Sequence, residues 1–251
     1  MSEGQPLCVA IFGATSGIAA ALARRFAASG ARIALVGRDS VAIEASACDL
    51  KVRGAYEVVQ IPADFAEIER LSQIAGAAWE ALSGLDVAVI TYGTLPEQGE
   101  LDIDPQEAAP VLLLNFVSPS VLAGHLARRF EAQRGGVLAL VTSVAGDRGR
   151  KSNYFYGAAK GGLQVLAEGL RHRLYPAGVQ VLDIRPGFVA TRMTGHLARN
   201  GFFWAEPDRV AGDIQRAIAR GTAVLYTPWF WRGILAIVRA LPRPLFHRIS
   251  F

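Results

Sequence analysis

The sequence predicts an α/β fold in which seven parallel strands form one doubly wound sheet with helices on both faces. Short runs rich in Val, Ile and Leu alternate with longer segments of helical periodicity along the chain. The short runs are apolar at nearly every position, which is typical of parallel strands covered on both faces. Strand–helix alternation in turn implies right-handed crossovers between parallel strands.

The predicted elements follow one another without a linker, an internal repeat or a low-complexity segment. Apolar runs bounded by turn residues predict strands at 7–13, 32–37, 56–64, 86–93, 136–143, 179–187 and 223–228. Helical periodicity predicts helices at 17–29, 67–82, 107–133 and 155–175. We expect one domain over residues 1–228 and an apolar, basic extension over residues 229–251.

Composition and charge exclude several classes of protein. The chain is 51% hydrophobic and 19% charged, which excludes a disordered protein. The net charge of +4 is concentrated at one end, because residues 214–251 contain six arginines and no acidic residue. A uniformly basic nucleic-acid-binding protein would not have this distribution, so no nucleic-acid partner is predicted.

The cysteines and the first residues predict a cytoplasmic protein. Cys8 and Cys48 are too few for a disulfide framework, and no basic segment precedes an apolar core of the kind found in signal peptides. The four histidines are scattered and form no HExxH or Cys/His cluster, so no metal site is predicted.

The first predicted strand ends in a glycine-rich turn. Gly13, Gly17 and Ala19 follow the strand, and a helix begins within the turn. Such a turn lets the backbone approach a pyrophosphate, whose charge the helix N-terminus stabilises, although glycine turns also end many ordinary strands. The residues expected to border a cofactor here are Gly13, Thr15, Ser16, Gly17 and Ile18.

A tyrosine and a lysine are spaced four residues apart at the start of the last predicted helix. Tyr156 and Lys160 therefore lie on one helical face, roughly 6 Å apart at Cβ. A cation about 4 Å from a phenol, at an effective dielectric near 20, favours the phenolate by roughly 4 kcal/mol, or about three pKa units. The spacing predicts a tyrosine adjusted for general acid–base catalysis. Tyr154 has Ala158 at i+4 and gains no such partner.

The glycine turn, Ser143, Tyr156 and Lys160, in this order, closely resemble the short-chain dehydrogenase/reductase family, and the resemblance covers residues 7–228. It implies a Rossmann-type dinucleotide-binding and catalytic domain that transfers a hydride between a nicotinamide and a keto or alcohol carbon. Tyr156 would be the acid/base, Lys160 would lower its pKa and hold the cofactor's ribose hydroxyls, and Ser143 would hydrogen-bond the substrate oxygen. Asn115 matches the asparagine of a water-linked proton relay; a helix-interior Asn bonded to backbone is the alternative.

The resemblance extends to further cofactor contacts, with one departure. Asp64 and Phe65 match residues that contact the adenine. Gly93 is kept after the fourth strand, but Thr91 and Tyr92 replace Asn and Ala, which puts the hydrogen bond that stabilises this strand in question. In the loop that matches the nicotinamide site, the expected contributors are Pro186, Gly187, Val189 and Thr191.

Arg38 favours NADP(H) over NAD(H). An NAD enzyme of this fold has an acid at the end of the second strand, where it binds the ribose hydroxyls. Here Gly37 occupies that position, and Arg38 after it can bind a 2′-phosphate through charge-assisted hydrogen bonds. Asp39 is expected to cap the following helix. Ser16 stands where a second basic residue usually marks NADP preference.

Two segments near the predicted site indicate a large or anionic substrate. Residues 147–151 contain three cations, which can hold a phosphate or form a solvated loop. Residues 191–207 predict a mobile lid with apolar contacts. This lid and the end of the chain are most similar to the bacterial branch of the family that includes the decaprenylphosphoryl-ketopentose reductases, so a phosphorylated or lipid-linked sugar is a candidate substrate.

The extension over residues 229–251 predicts an interfacial helix. From Trp229 to Leu241 it is apolar apart from one glycine and two arginines, Arg232 and Arg239, that share a helical face. A helix of about 13 residues is too short to span a bilayer. Aromatic residues, a basic stripe and an apolar face favour peripheral contact with the inner face of an anionic membrane. Packing on the subunit's own core or on a neighbouring subunit is the alternative.

The resemblance also implies a homo-oligomer, most simply a homotetramer, in which the helices at 107–133 and 155–175 pair across a two-fold axis. Two other functions share parts of the pattern. An extended-type epimerase or dehydratase shares the Tyr–Lys spacing but has a tighter glycine turn and a longer chain. A non-catalytic dinucleotide-sensing regulator shares the fold but does not need the catalytic set Asn115, Ser143, Tyr156 and Lys160.

Overall fold

The computed structural model describes residues 5–195 and 201–248 and contains a seven-stranded, wholly parallel sheet, which confirms the predicted fold class. The strands are β1 Cys8–Phe12, β2 Arg32–Gly37, β3 Glu57–Pro62, β4 Val87–Ile90, β5 Val137–Val141, β6 Gln180–Pro186, β7 Phe188–Val189, β8 Trp204–Ala205 and β9 Val224–Thr227. Strands β7 and β8 form a separate short parallel pair. The helices are α1 Gly17–Ala28, α2 Ser40–Val52, α3 Leu71–Ala81, α4 Gln98–Ile103, α5 Ala108–Leu112, α6 Ser118–Gln133, α7 Tyr154–Leu174, α8 Pro207–Ala219, α9 Trp231–Ala240 and α10 Arg243–Phe246.

The strand order creates a crevice at one edge of the sheet. The order is β3-β2-β1-β4-β5-β6-β9. Strands β2 and β3 are therefore added on one side of β1, and β4 and the later strands of this sheet are added on its other side. Loops that follow β1 and β4 therefore diverge at the carboxyl ends of these two strands. Ligands of doubly wound sheets bind in the crevice that opens there.

The core has one layer on each face of the sheet. Ala10 and Phe12 of β1 belong to a cluster with α3, α6 and α7, whereas Val9 and Ile11 belong to a cluster with α1, α2 and α8. Successive side chains of a strand point to opposite faces, so a strand covered on both sides must be apolar at every position. This requirement accounts for the continuous apolar runs in the sequence.

The predicted helix at 107–133 is divided in the structure. A π-helical turn, Leu113–Val117, joins α5 to α6 and contains Asn115. By length and hydropathy alone the run Pro105–Gln133 could cross a bilayer. In the fold, however, Leu126 and Phe130 are fully buried in the same cluster as residues of the sheet.

The residues that follow β9 return to the carboxyl edge of the sheet. Trp231, Leu235 and Val238 of α9 are buried in a small third cluster together with Val144, which lies just beyond β5. The opposite face of α9, which includes Ile237, is exposed. One face of the extension therefore packs on its own subunit.

Candidate active site

One large cavity of about 1140 Å³ lies at the carboxyl edge of the sheet. Asn115 is the one predicted site residue that does not line this cavity, since it lies behind the cavity wall. The predicted residues that line the cavity are Gly13, Thr15, Ser16, Gly17, Ile18, Arg38, Asp64, Phe65, Gly93, Ser143, Tyr156, Lys160, Pro186, Gly187, Val189 and Thr191.

The glycine turn is held in a shape that only glycine accommodates easily. Gly13 has φ +90°, and a Cβ there would lie 2.7 Å from the backbone nitrogen of Tyr92. Ser16 caps α1 by accepting a hydrogen bond from the Ala19 N–H at 3.2 Å. Ala19 itself is fully buried, so the methyl group that replaces the family's glycine is accommodated by the packing. The free N–H groups at the start of α1 border the cavity, as a pyrophosphate requires.

Thr91 makes the hydrogen bond that the replacement of Asn by Thr put in question. Its Oγ1 atom lies 2.9 Å from the carbonyl oxygen of Phe12 and 3.0 Å from that of Gly13, and all three groups lie in the buried centre of the fold. The threonine hydroxyl thus joins the end of β4 to the glycine turn in place of an asparagine side chain.

The start of α7 packs directly against the turn that carries Ser143. A Cβ on Gly157 would lie 3.0 Å from the carbonyl oxygen of Ala145, and one on Gly161 would lie 3.0 Å from that of Gly146. Gly157 and Gly161 therefore make room for the backbone of residues 145 and 146. This close packing places Ser143 and Tyr156 in the same wall of the cavity, where the serine hydroxyl acts to lower the pKa of the tyrosine.

Burial determines the protonation of the catalytic pair. Loss of water around the partly buried phenol raises the pKa of Tyr156 to about 12, while the Ser143 hydroxyl acts in the opposite direction. Lys160 is buried, and burial lowers its pKa to about 8. The Lys160 Nζ atom lies 5.7 Å from the Tyr156 ring centroid and donates to the carbonyl oxygen of Val141 at 3.2 Å. The tyrosine pKa is thus shifted in the opposite direction to that predicted from the spacing, and at neutral pH the phenol is protonated.

Asn115 connects the loop after β4 to the wall behind Lys160. Its Nδ2 donates to the carbonyl oxygens of Thr94 and Val111 at 2.9 and 3.0 Å, and its Oδ1 accepts from the Thr94 N–H at 3.1 Å. A Cβ on Gly93 would lie 2.4 Å from Asn115 Oδ1 and 3.4 Å from Lys160 Nζ. The asparagine is bonded to backbone, as the alternative interpretation held, and it also shares a small space with Lys160.

The opposite end of the cavity is flat and aromatic on one side and basic on the other. Phe65 and Tyr92 stack with ring centroids 4.0 Å apart and an interplanar angle of 2°. The Tyr92 hydroxyl is held by Ser118 at 2.9 Å. Arg38 is exposed at the cavity margin, and Asp39 caps α2 as predicted, accepting from the Ala42 N–H at 3.0 Å.

The loop after β6 contacts a residue that the sequence analysis assigned to the extension. Trp231 of α9 lines the cavity and packs on Gly187, where a Cβ would lie 1.9 Å from the indole Nε1. On the other side of this loop, Thr191 packs on Gly17 at the start of α1, where a Cβ would lie 2.9 Å from Thr191 Cγ2. Nothing in the local sequence around Trp231 indicates a place in this cavity, because the contact spans more than 40 residues of chain.

The residues of the cationic segment at 147–151 contact three different parts of the molecule. Arg148 caps the carboxyl end of α9, donating to the carbonyl oxygens of Val238 and Leu241, the latter at 2.9 Å. Asp147 is buried and binds Arg185 at 3.0 Å. Only the end of the segment, which contains Arg150 and Lys151, lines the cavity. Of the three cations that could hold a phosphate, Arg148 is therefore engaged by α9, and Arg150 and Lys151 are the two that border the cavity.

The predicted lid at 191–207 falls partly outside the described residues, which omit 196–200. Before this gap, Arg192–Thr194 forms a 3-10 turn. After it, β8 pairs with β7, so that Trp204 lies beside Phe188 with ring centroids 5.4 Å apart. This strand pair was not predicted, because two-residue strands have no period that a sequence can display.

Comparisons with known proteins agree with this geometry. Residues 7–200 match the sequence profile of the short chain dehydrogenase family. An uncharacterised oxidoreductase of Mycobacterium tuberculosis is 34% identical over 241 residues, 96% of each chain. Galactitol 2-dehydrogenase (L-tagatose-forming) of Cereibacter sphaeroides is 30% identical over 189 residues, 74% of this chain and 73% of that enzyme. A solved short-chain dehydrogenase from Sphingobium yanoikuyae in complex with NADPH is 25% identical, with a TM-score of 0.82 and coverage of 98% of this chain and 97% of that one.

Proposed function

This chain belongs to the short-chain dehydrogenase/reductase family. We propose that it reduces a keto group to a secondary alcohol with NADPH, that Tyr156 is the acid/base, and that it also catalyses the reverse reaction. The observation that carries the proposal is that Ser143, Tyr156 and buried Lys160 line one cavity, which the glycine turn also borders.

The residues around the cavity suit a dinucleotide, because the glycine turn and the start of α1 border it, the rings of Phe65 and Tyr92 offer a flat wall, and Arg38 places a cation at its margin. A bound nicotinamide would supply or accept the hydride. The pyrophosphate would lie against the glycine turn, and Lys160 would hold ribose hydroxyls. The adenine would lie near Asp64 and Phe65, and the nicotinamide amide near Val189 and Thr191.

At the carbonyl, the chain's own side chains handle the proton. Tyr156 is protonated at neutral pH and gives its proton to the carbonyl oxygen as the alcohol forms. Ser143 donates a hydrogen bond to the same oxygen and stabilises the charge that develops there. Asn115 keeps Lys160 and the loop after β4 in position. From Lys160 a chain of water molecules can return a proton to Tyr156.

Turnover tests the proposal directly. Purified protein mixed with NADPH and a panel of ketones should oxidise the cofactor, and the same protein with NADP⁺ and secondary alcohols should reduce it. Binding of the dinucleotide without turnover of any panel member would instead favour a cofactor-sensing regulator, and inversion or loss of a hydroxyl without net redox change would favour an epimerase or dehydratase.

The preference for NADPH rests on Arg38. This side chain has no ion pair or hydrogen bond within the described residues, and it lies at the cavity margin just after β2, where a 2′-phosphate would be placed. Arg38→Ala should raise the KM for NADPH roughly 10- to 100-fold, the loss expected for charge-assisted hydrogen bonds, and should leave the KM for NADH nearly unchanged. Arg53→Ala, an exposed arginine at the end of α2, is the matched control. Tighter binding of NADH that Arg38→Ala does not affect would contradict the assignment.

The proposed substrate class is a phosphorylated or lipid-linked sugar. Arg150 and Lys151 line the cavity on the side of Tyr156, where they can hold an anionic group. The galactitol dehydrogenase among the relatives acts on a polyol. Screening phospho-sugars and polyprenyl-phospho-sugars against small neutral ketones tests the class, and a preference for the small ketones would contradict it.

We also propose that the exposed face of α9 contacts the inner face of an anionic membrane. Trp229 and Ile237 are exposed, Arg232 and Arg239 lie on the same side of the chain, and no acidic residue follows position 213. Deleting the extension would expose the cluster around Val144, so charge reversal is the cleaner test.

Full-length protein should sediment with anionic vesicles at low salt, and Arg232→Glu with Arg239→Glu should abolish most of this binding. Lys51→Glu with Arg220→Glu makes the same change of charge at exposed sites elsewhere and should retain binding. Wild-type protein that stays in the supernatant would refute membrane contact.

A homotetramer is proposed as well. Val165 on α7 and Val117, in the π-helical turn just before α6, are exposed apolar residues on the two segments that would pair. Light scattering at micromolar concentration should give the mass of a tetramer, and a stable monomer would contradict the proposal.

A further inference from the structure

A row of aromatic side chains leads from the catalytic cavity to the protein surface. We call it the aromatic tract: Phe188, Trp231, Phe230, Phe203 and Phe202. Phe188 and Trp231 line the cavity, and their ring centroids are 5.7 Å apart. Phe230 lies 5.9 Å beyond Trp231, and Phe202 stacks on Phe230 at 5.1 Å. Phe203 lies 5.8 Å from Trp231 on the same side.

Phe188 faces the open cavity and is 38% exposed, and from Trp231 outward the exposure of the rings increases. Trp231 is 6% exposed, Phe203 48% and Phe202 80%. Aromatic rings that contact one another and still face water keep much apolar area unburied. Clusters of this kind on a soluble domain mark binding surfaces. The tract therefore has the features of a surface that another apolar group covers.

The position of the outer rings is determined by the fold. Trp204–Ala205 pairs with Phe188–Val189, and this pairing places residues 202 and 203 immediately outside the cavity. On the inner side, Trp231 fits against Gly187 because that residue has no side chain. The tract is thus built from two distant segments that meet at the cavity mouth.

We propose that the tract binds an extended apolar substituent of the carbonyl substrate, so that the keto group lies at Tyr156 while the apolar chain leaves the cavity along these rings. This inference rests on the proposed function. Continuity with the cavity selects a substrate as the occupant: the inner two rings line the space in which the reacting carbon must lie.

A series of ketones with progressively longer unbranched alkyl chains tests the proposal. With the wild type, kcat/KM should rise about three- to fourfold for each methylene that becomes buried, and should level off when the chain extends past Phe202. Phe202→Ser should reduce the ratio of kcat/KM for the long ketones to that for the short ketones by tenfold or more. Because Phe202 is mostly exposed, this change should not impair folding. Tyr56→Ser, which removes an equally exposed aromatic residue near β3, should keep the wild-type ratio.

Failure of this inference can be distinguished from failure of the proposed function. Ketone reduction that does not depend on chain length, or a chain-length effect that Phe202→Ser leaves intact, overturns the tract and leaves the proposed function standing. If no ketone is turned over, calorimetric titration of the NADPH-loaded protein with the same ketones decides. Affinity that rises with chain length in the wild type and is lost in Phe202→Ser supports the tract; affinity that ignores chain length overturns it.

Discussion

Tyr156→Phe should lower kcat for ketone reduction by a factor of roughly 10²–10⁴, the range that general acid catalysis contributes. The substitution keeps the ring and its packing but removes the phenol hydroxyl proposed to protonate the carbonyl beside Ser143. Ser143 can still donate a hydrogen bond, so some activity should remain. Stopped-flow measurement of a single turnover separates this loss from any change in product release, and titration of intrinsic fluorescence with NADPH should show that the cofactor still binds.

Tyr154→Phe is the matched control, since the two tyrosines differ in position by only two residues. The Tyr154 hydroxyl donates to Asp102 at 2.7 Å, and its side chain is exposed on the far side of the start of α7 from Lys160. This change should reduce kcat only slightly. A larger loss from Tyr154→Phe than from Tyr156→Phe would show that the acid/base has been assigned to the wrong tyrosine.

Lys160→Met should slow alcohol oxidation by roughly 100-fold at neutral pH. Oxidation requires the phenolate of Tyr156, whereas burial favours the phenol. The lysine charge lies 5.7 Å from the centre of the tyrosine ring. At that separation and an effective dielectric near 20, a unit charge stabilises the phenolate by about 3 kcal/mol. Initial rates of alcohol oxidation, at saturating cofactor, measure the loss.

The pH dependence of this loss provides a second test. Burial lowers the pKa of Lys160 to about 8, so the side chain is a cation below that pH and neutral above it. The ratio of wild-type to Lys160→Met oxidation rates should therefore be largest near neutral pH and should decrease as the pH rises above about 8. Lys51→Met, at an exposed position on α2, should match the wild type throughout. A ratio that stays constant to alkaline pH would show that Lys160 acts through contacts rather than through its charge.

The sequence by itself determined the sheet, the glycine turn and the pairing of Tyr156 with Lys160. Each depends on a short-range pattern. Strands covered on both faces need continuous apolar runs, a tight turn needs Gly13, and a four-residue spacing in a helix brings two side chains to one face. Such patterns are visible without knowledge of what lies opposite them.

Only the tertiary structure decided how distant segments complete the site. Trp231 reaches Gly187, Thr91 supplies the hydrogen bond expected from an asparagine, and Arg148 binds the end of α9 rather than a substrate. The direction of the Tyr156 pKa shift also follows from burial, which no spacing of residues reveals. These features depend on which segments lose contact with water together, and that is set by the packing of the whole chain.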